Sequence, residues 1–253
     1  MLDREAQDEP TRRYRSPREP RLLERPGAFD PPLGEHLHRA PPQLYVAGDV
    51  SLLRASLRVS IVGARAASTD GLRRATKLAS QLVARGAVVV SGLAEGIDAA
   101  AHQGAIAARG RTIAVIGTPL ERCYPAKHAA LQELIYRDHL LVSQFAPGAK
   151  IGASNFPARN RTMAMLSHAS VIVEAGDSSG SLSQAAEIQR LGRPLFIMRS
   201  VVENSRLSWP AAFLKSGAQI LDDVVQIVSA LGDGVRTRTG GVQQLPLYEQ
   251  SRE

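Results

Sequence analysis

The stretch Arg58–Gly71, RVSIVGARAASTDG, decides the fold. Its first half, Arg58–Val62, is a short β-branched run. It enters the turn Gly63-Ala64-Arg65-Ala66-Ala67-Ser68-Thr69-Asp70-Gly71, and an amphipathic segment of helical length follows over about 71–85. A near-continuous apolar strand that passes through a glycine turn into a helix is half of a βαβ unit. The unit recurs along the chain. Ala87–Val90, Thr112–Ile116, Leu140–Val142, Ser170–Val173, Leu195–Met198 and a short Gln219–Leu221 read as strands. Segments near 95–109, 127–137, 159–168, 180–191, 208–216 and 222–231 read as helices. Strict alternation predicts an α/β domain with a mostly parallel sheet covered on both faces, and right-handed crossovers make it doubly wound and Rossmann-like.

Composition sets the limits of that domain. Of the 253 residues, 44% are hydrophobic, enough for a substantial core. A single cysteine, Cys123, excludes a disulfide framework and a cysteine-built zinc site, and makes a reducing compartment the default. No apolar run is long enough to span a bilayer, and MLDREAQDEP lacks the apolar core of a signal peptide, so a cytoplasmic location is expected. Residues 1–40 are rich in proline and mixed charge, with eight arginines against eight acids, and are expected to be a disordered tail. Residues 232–253 read the same way, with Leu245–Tyr248 as a small apolar patch. The net charge of +7 therefore falls entirely on residues 41–231, and a basic globular body suits a polyanionic partner such as nucleic acid.

In a doubly wound sheet, ligands bind beyond the carboxyl ends of the strands. Three successive strands there run into Gly63–Gly71, Ser91–Asp98 and Gly117-Thr118-Pro119. Glycine lets backbone N–H groups approach a phosphate, and each helix start adds partial positive charge. Any one such loop is equally consistent with glycine serving only to turn. The three together, with Arg65 and Ser68 in the first, favour an anion site. The dinucleotide spacing G-x-G-x-x-G is absent, so no nicotinamide cofactor is expected. A second focus is Asn155–Thr162, where Arg159 and Arg161 flank Asn160 at a helix start just after Phe156. Such a set suits backbone phosphates with a base stacked on the ring, or a helix turn whose Phe156 packs inward.

At these residues the chain resembles the DprA/Smf family of DNA-processing proteins. SGLAEGIDAAAH (Ser91–His102) resembles their SGxAxGIDxxAH motif, and GAR with Gly71 (Gly63–Gly71) their GSR…G loop. FPARNR (Phe156–Arg161) resembles their FPxRNR segment. SGSL (Ser179–Leu182) with Gly192-Arg193, YPAKH (Tyr124–His128) and LYVAGDVSLL (Leu44–Leu53) also fit, in the right order over about 44–198. The resemblance implies an extended Rossmann fold, a homodimer, binding of single-stranded DNA, and loading of a RecA-type recombinase during transformation or recombination. Carried onto this sequence, it assigns Arg65, Lys127, Phe156, Arg159, Asn160 and Arg161 to the DNA pocket. Gly63, Ser68, Gly71, Ser91, Gly92, Gly96, Asp98, Gly117, Ser179, Gly180 and Ser181 would shape the loops around it, Asp98 as a hydrogen-bonding residue at a helix start. The chain departs from the family at Ala64, where GSR has serine, and over 199–218. It offers no room for the family's N-terminal helical domain or C-terminal winged helix, which points to a divergent stand-alone paralogue.

An enzymatic alternative stays open from the residues. The wider fold family includes small-nucleotide binders and LOG-type phosphoribohydrolases, whose loop carries a catalytic glutamate. That position falls here at Ser183 or Gln184, neither of which is a carboxylate base, with Glu187 one turn on. No Walker lysine, zinc-type histidine pair or nucleophile elbow occurs. His102 reads as a packed or surface histidine, and Cys123 sits beside Arg122, which would lower its pKa. No catalytic residue, metal ligand or cofactor is assigned. A third reading is a structural paralogue whose DNA binding has lapsed.

Overall fold

The computed structural model describes residues 14–24, 29 and 33–232. In chain order the elements are β1 (Arg21–Glu24), β2 (Gln43–Gly48), β3 (Arg58–Gly63), α1 (Thr69–Val83), β4 (Val88–Ser91), α2 (Ile97–Ala107), β5 (Thr112–Ile116), α3 (Ala129–Asp138) and β6 (Leu140–Ser143). There follow α4 (Asn155–Leu166), β7 (Ala169–Glu174), α5 (Ser181–Arg190), β8 (Leu195–Met198), α6 (Arg199–Val202), α7 (Trp209–Lys215), β9 (Gln219–Leu221) and α8 (Val225–Leu231).

The nine strands among the described residues form one sheet in the order β1-β2-β6-β5-β4-β3-β7-β8-β9. The seven from β6 to β9 run parallel, and β1 and β2 add an antiparallel edge. Strand order grows from β3 in both directions. The switch between β3 and β7 is therefore where a cleft must open at the carboxyl ends.

Period-two alternation explains why both faces are covered. Val59 and Ile61 of β3, Val89 of β4, and Val171 and Val173 of β7 point to one layer. There they meet Ala75, Leu78, Ala79 and Leu82 of α1. Those four positions recur at i, i+3, i+4 and i+7, the buried stripe of an amphipathic helix, and each fully buried leucine contributes about 1.5–3 kcal/mol. Val62, Val90 and Ile172 point to the opposite layer, against Met163 and Leu166 of α4, Ile188 of α5 and Trp209. The doubly wound expectation holds.

Most boundaries agree within two residues, and three differences are larger. Helix α4 begins at Asn155, four residues before the expected start, so Phe156 and Pro157 lie in its first turn. Proline is accepted there because the N–H it lacks has no intrahelical partner. The short α6 was not expected, and α8 begins three residues late.

The larger correction concerns residues 1–40. The expectation of a disordered tail fails for the described part of this segment. Strand β1 pairs antiparallel with β2, Arg21 opposite Val46 and Glu24 opposite Gln43. The Tyr14 hydroxyl donates to the Leu120 carbonyl at 2.7 Å, and its ring meets Tyr136 edge-on. Phe29, Leu33 and Ala40 are buried in the main core. Average composition hid a few anchors, and an edge strand is held by backbone hydrogen bonds that carry no side-chain pattern. Residues 1–13, 25–28, 30–32 and 233–253, including Leu245–Tyr248, lie outside the described residues. Among the described residues no helix is long and apolar enough to cross a membrane.

Candidate nucleic-acid interface

A cleft of about 510 Å³ opens at the β3/β7 switch point. Its walls are the turn after β3 (Gly63–Ala66), the first turns of α4 (Phe156, Arg159, Asn160) and the loop from Gly176 into α5 (Ser179, Gly180, Ser181). A smaller recess of about 210 Å³ continues past Arg65 and Phe156, between Gly92, Glu95, Gly117 and Tyr124.

Arg65 and Phe156 stand at the junction of these two spaces. The guanidinium carbon of Arg65 lies 5.2 Å from the Phe156 ring centroid, a cation–π seat. Tyr124, itself 52% exposed, packs on the same ring at 5.5 Å between centroids. Phe156 is half-buried and lines both spaces, so it is not a core phenylalanine. Gly117 borders that ring.

Beneath the junction is a buried polar strut. Arg159, its side chain 5% exposed, donates to the Val115 carbonyl at 3.0 Å and sits 3.8 Å from the Asp98 carboxylate. Asp98 accepts from the backbone N–H of Gly92 at 3.1 Å and of Ala94 at 3.4 Å. Burial is the main influence on both, pushing the Asp98 carboxyl up and the Arg159 guanidinium down, and each charge opposes that in the other. The guanidinium stays charged, since arginine does not deprotonate in proteins. Glycine at 92 is required by contact, because any Cβ there would overlap the Arg159 guanidinium. Glycine at 96 is required by backbone, with φ of 74° and a Cβ position already filled by the carbonyls of Ala64 and Arg65. The motif Ser91–His102 is thus a scaffold that fixes the Arg65 turn. Ser91 is buried and donates to the Ile61 carbonyl at 2.6 Å. His102 is buried against Thr112, and burial holds its pKa down at about 3.

Several expected pocket residues are placed elsewhere. Ser68 caps α1, accepting from Gly71 N–H at 2.9 Å, and donates to Glu174 through its own N–H at 2.8 Å and its hydroxyl at 2.6 Å. Glu174, not an external anion, fills that helix start, so Ser68 and Gly71 do not line the cleft. Lys127 is tied to Glu95 at 2.7 Å on the rim of the recess. That ion pair holds the Glu95 carboxyl below its ordinary value. Arg161 turns away from the cleft toward Glu187, 3.7 Å distant. Asn160 lies at the cleft but spends its amide N–H groups on the Gly180 carbonyl at 3.0 Å and the Ser183 hydroxyl at 2.8 Å. It fixes the loop into α5. The sequence reading of Cys123 reverses: burial raises its thiol to about 11.

The hydrolase position carries no carboxylate. Ser183 is held by Asn160 and Gly180, and Gln184 is buried between Ser60 and Ser170. Sequence reasoning missed Tyr124, Glu174 and Arg39. Tyr124 had a signal, an aromatic in a loop after a parallel strand. Glu174 and Arg39 are defined by contacts 106 and 148 residues away in sequence.

An aromatic-edged cleft at the switch point of a doubly wound sheet places the chain in the Rossmann-like class. The chain matches the family model described as DNA recombination-mediator protein A over residues 28–232, and it belongs to that family. It is 34% identical over 216 residues to the Smf protein of Synechocystis, covering 84% of this chain and 52% of that protein. The structure of DNA processing protein A from Streptococcus pneumoniae superposes with a TM-score of 0.75 at 33% identity, covering 84% of this chain and 74% of that one. That of Helicobacter pylori DNA processing protein A, described for its single-stranded DNA binding mode, gives 0.70 at 30% identity, covering 84% and 95%. The chain spans about half the length of several curated relatives it matches.

Proposed function

We propose that this chain binds single-stranded DNA in the β3/β7 cleft and acts as a non-enzymatic mediator of DNA processing, in natural transformation or homologous recombination. The observation that carries the reading is the seating of Arg65 over the Phe156 ring, where the cleft and its recess meet. A guanidinium grips a phosphate while the neighbouring rings stack on a base, a combination tolerant of sequence. The first turn of α5 adds its partial positive charge from the opposite wall.

Family membership and the Helicobacter pylori relative support single-stranded DNA as the ligand. The same resemblance supports a cytoplasmic homodimer that loads a RecA-type recombinase. Ser183 and Gln184 at the hydrolase position argue against base or phosphate cleavage. The deciding experiment is a gel-shift series with single- and double-stranded oligonucleotides across salt concentrations. Several phosphate contacts give a steep log–log slope on the single strand. Equal affinity for both forms, or a slope no steeper than that of a mononucleotide, would refute strand binding.

A further inference from the structure

One turn along α5 from the cleft, three arginines converge on a single carboxylate oxygen. Arg190 Nη1 lies 2.5 Å, Arg39 Nη2 3.1 Å and Arg161 Nε 3.7 Å from Glu187 Oε1. They come from three elements: the turn before β2, α4, and α5. The other carboxylate oxygen is buried with no hydrogen-bond partner among the described residues, as are Arg39 Nη1 and Arg161 Nε.

Among the described residues one carboxylate faces three guanidiniums, an excess of two positive charges. A staple between the N-terminal segment and α5 needs only Arg39. Arg161 and Arg190 crowd the same oxygen, and a further anion would relieve their mutual repulsion. The cluster is open to solvent at its rim. The Glu187 side chain is 11% exposed at the base, whereas those of Arg161 and Arg190 are 43% and 50% exposed at the rim.

Position ties the cluster to the cleft. Glu187 follows Ser183, a cleft residue, by four positions, about 6 Å along the helix. Arg161 follows Asn160, another cleft residue, directly. We infer that Arg39, Arg161 and Arg190 form a second phosphate subsite, which takes a phosphodiester of the DNA strand after it leaves the cleft. Planar guanidinium forks suit such a group, and Glu187 holds them together until the strand arrives. The inference rests on the cleft being the strand's site.

The test uses the full chain with two oligothymidines, a short one that the cleft alone accommodates and a longer one that must cross α5. Salt titrations compare wild type with Arg190→Gln, Glu187→Gln and Arg65→Ala. Arg190→Gln is expected to lower the slope for the long oligomer by ~0.7 and to leave the short one unchanged. Glu187→Gln, which removes the competing charge, is expected to tighten long-oligomer binding. A merely structural cluster would not tighten on losing Glu187. A wild-type slope for Arg190→Gln, alongside a lowered one for Arg65→Ala, overturns the subsite and leaves the cleft standing. A folded Glu187→Gln protein that fails to bind more tightly does the same, and if it does not fold, Arg190→Gln decides. Binding of wild type that ignores salt removes the cleft and the subsite together.

Discussion

Arg159→Met tests whether Arg159 is a strut or a phosphate ligand. Methionine keeps the length and apolar stem of the side chain but removes the guanidinium. That leaves the Asp98 carboxylate buried with only the Gly92 and Ala94 N–H groups, and leaves the Val115 carbonyl without its side-chain donor. Burial already disfavours both charges of the pair, so the pair itself adds little net stability. Breaking it is another matter. Removing one partner of a buried pair costs about 3–5 kcal/mol, a large share of the roughly 5–15 kcal/mol of a whole domain. Urea denaturation should show that loss. The double variant Asp98→Asn with Arg159→Met, which removes both charges, should recover much of it, and the double-mutant cycle gives the coupling. The folded fraction of Arg159→Met should keep the wild-type salt slope with oligonucleotides, because its guanidinium is spent inside the protein. A variant within ~1 kcal/mol of wild type in stability, yet with a slope lowered by a full ~0.7, would refute the strut and make Arg159 a phosphate ligand.

The cleft itself separates charge from stacking. Arg65→Ala should lower the single-strand salt slope by ~0.7, while Phe156→Ala should weaken binding by roughly 1–3 kcal/mol with little change in slope; isothermal titration at several salt concentrations reads both. Deleting residues 1–40 should lower the melting temperature by well over a few degrees, since it removes β1 and the buried Phe29, Leu33 and Ala40, with each large apolar side chain contributing about 1.5–3 kcal/mol. A calorimetric melt unchanged by the truncation would show that the segment does not dock. His102 is held neutral in the fold with its pKa lowered to about 3, while the unfolded chain protonates it near 6.5, so the unfolded state binds the extra proton as pH falls. Its contribution should destabilise the fold by about 2 kcal/mol between pH 7 and 5, a loss that a folded His102→Gln variant should not share in urea titrations at the two pH values.

How far the sequence carries depends on the range of the interaction. Strands such as Thr112–Ile116 and the stripe Ala75, Leu78, Ala79, Leu82 were legible because a short β-branched apolar run and a period-3.6 pattern are both local. The switch point followed from the alternation of strands and helices, and with it the meeting of Arg65 and Phe156 at one sheet edge. Which way each side chain points was not legible. Arg159 and Arg161 are two positions apart on α4, about 200° around the helix, so one turns under the cleft and the other toward α5. Ser68 reads as an anion ligand until Glu174, from a strand far along the chain, is seen to occupy its helix start. Arg39 reads as tail charge until its contact with Glu187 appears.

These long-range contacts also decide where a phosphate is drawn. Two helix starts face the switch point, those of α1 after β3 and α5 after β7. Each would attract an anion by its partial positive charge. At α1 the Glu174 carboxylate already accepts from Ser68, with Arg74 3.4 Å away, so that start is neutralised from within the fold. At α5 the N-cap is Gly180, which brings no side-chain cap, and the first turn carries no acidic residue. Its neighbours Ser179 and Ser181 bond to each other instead. The Asn160 amide pins that loop through the Gly180 carbonyl, so the turn stands preformed. Glu174 thus silences one wall, and the attraction of the cleft falls between Arg65 and α5. If a strand binds as proposed, the charge of the cleft favours its passage along α5, toward the arginines around Glu187.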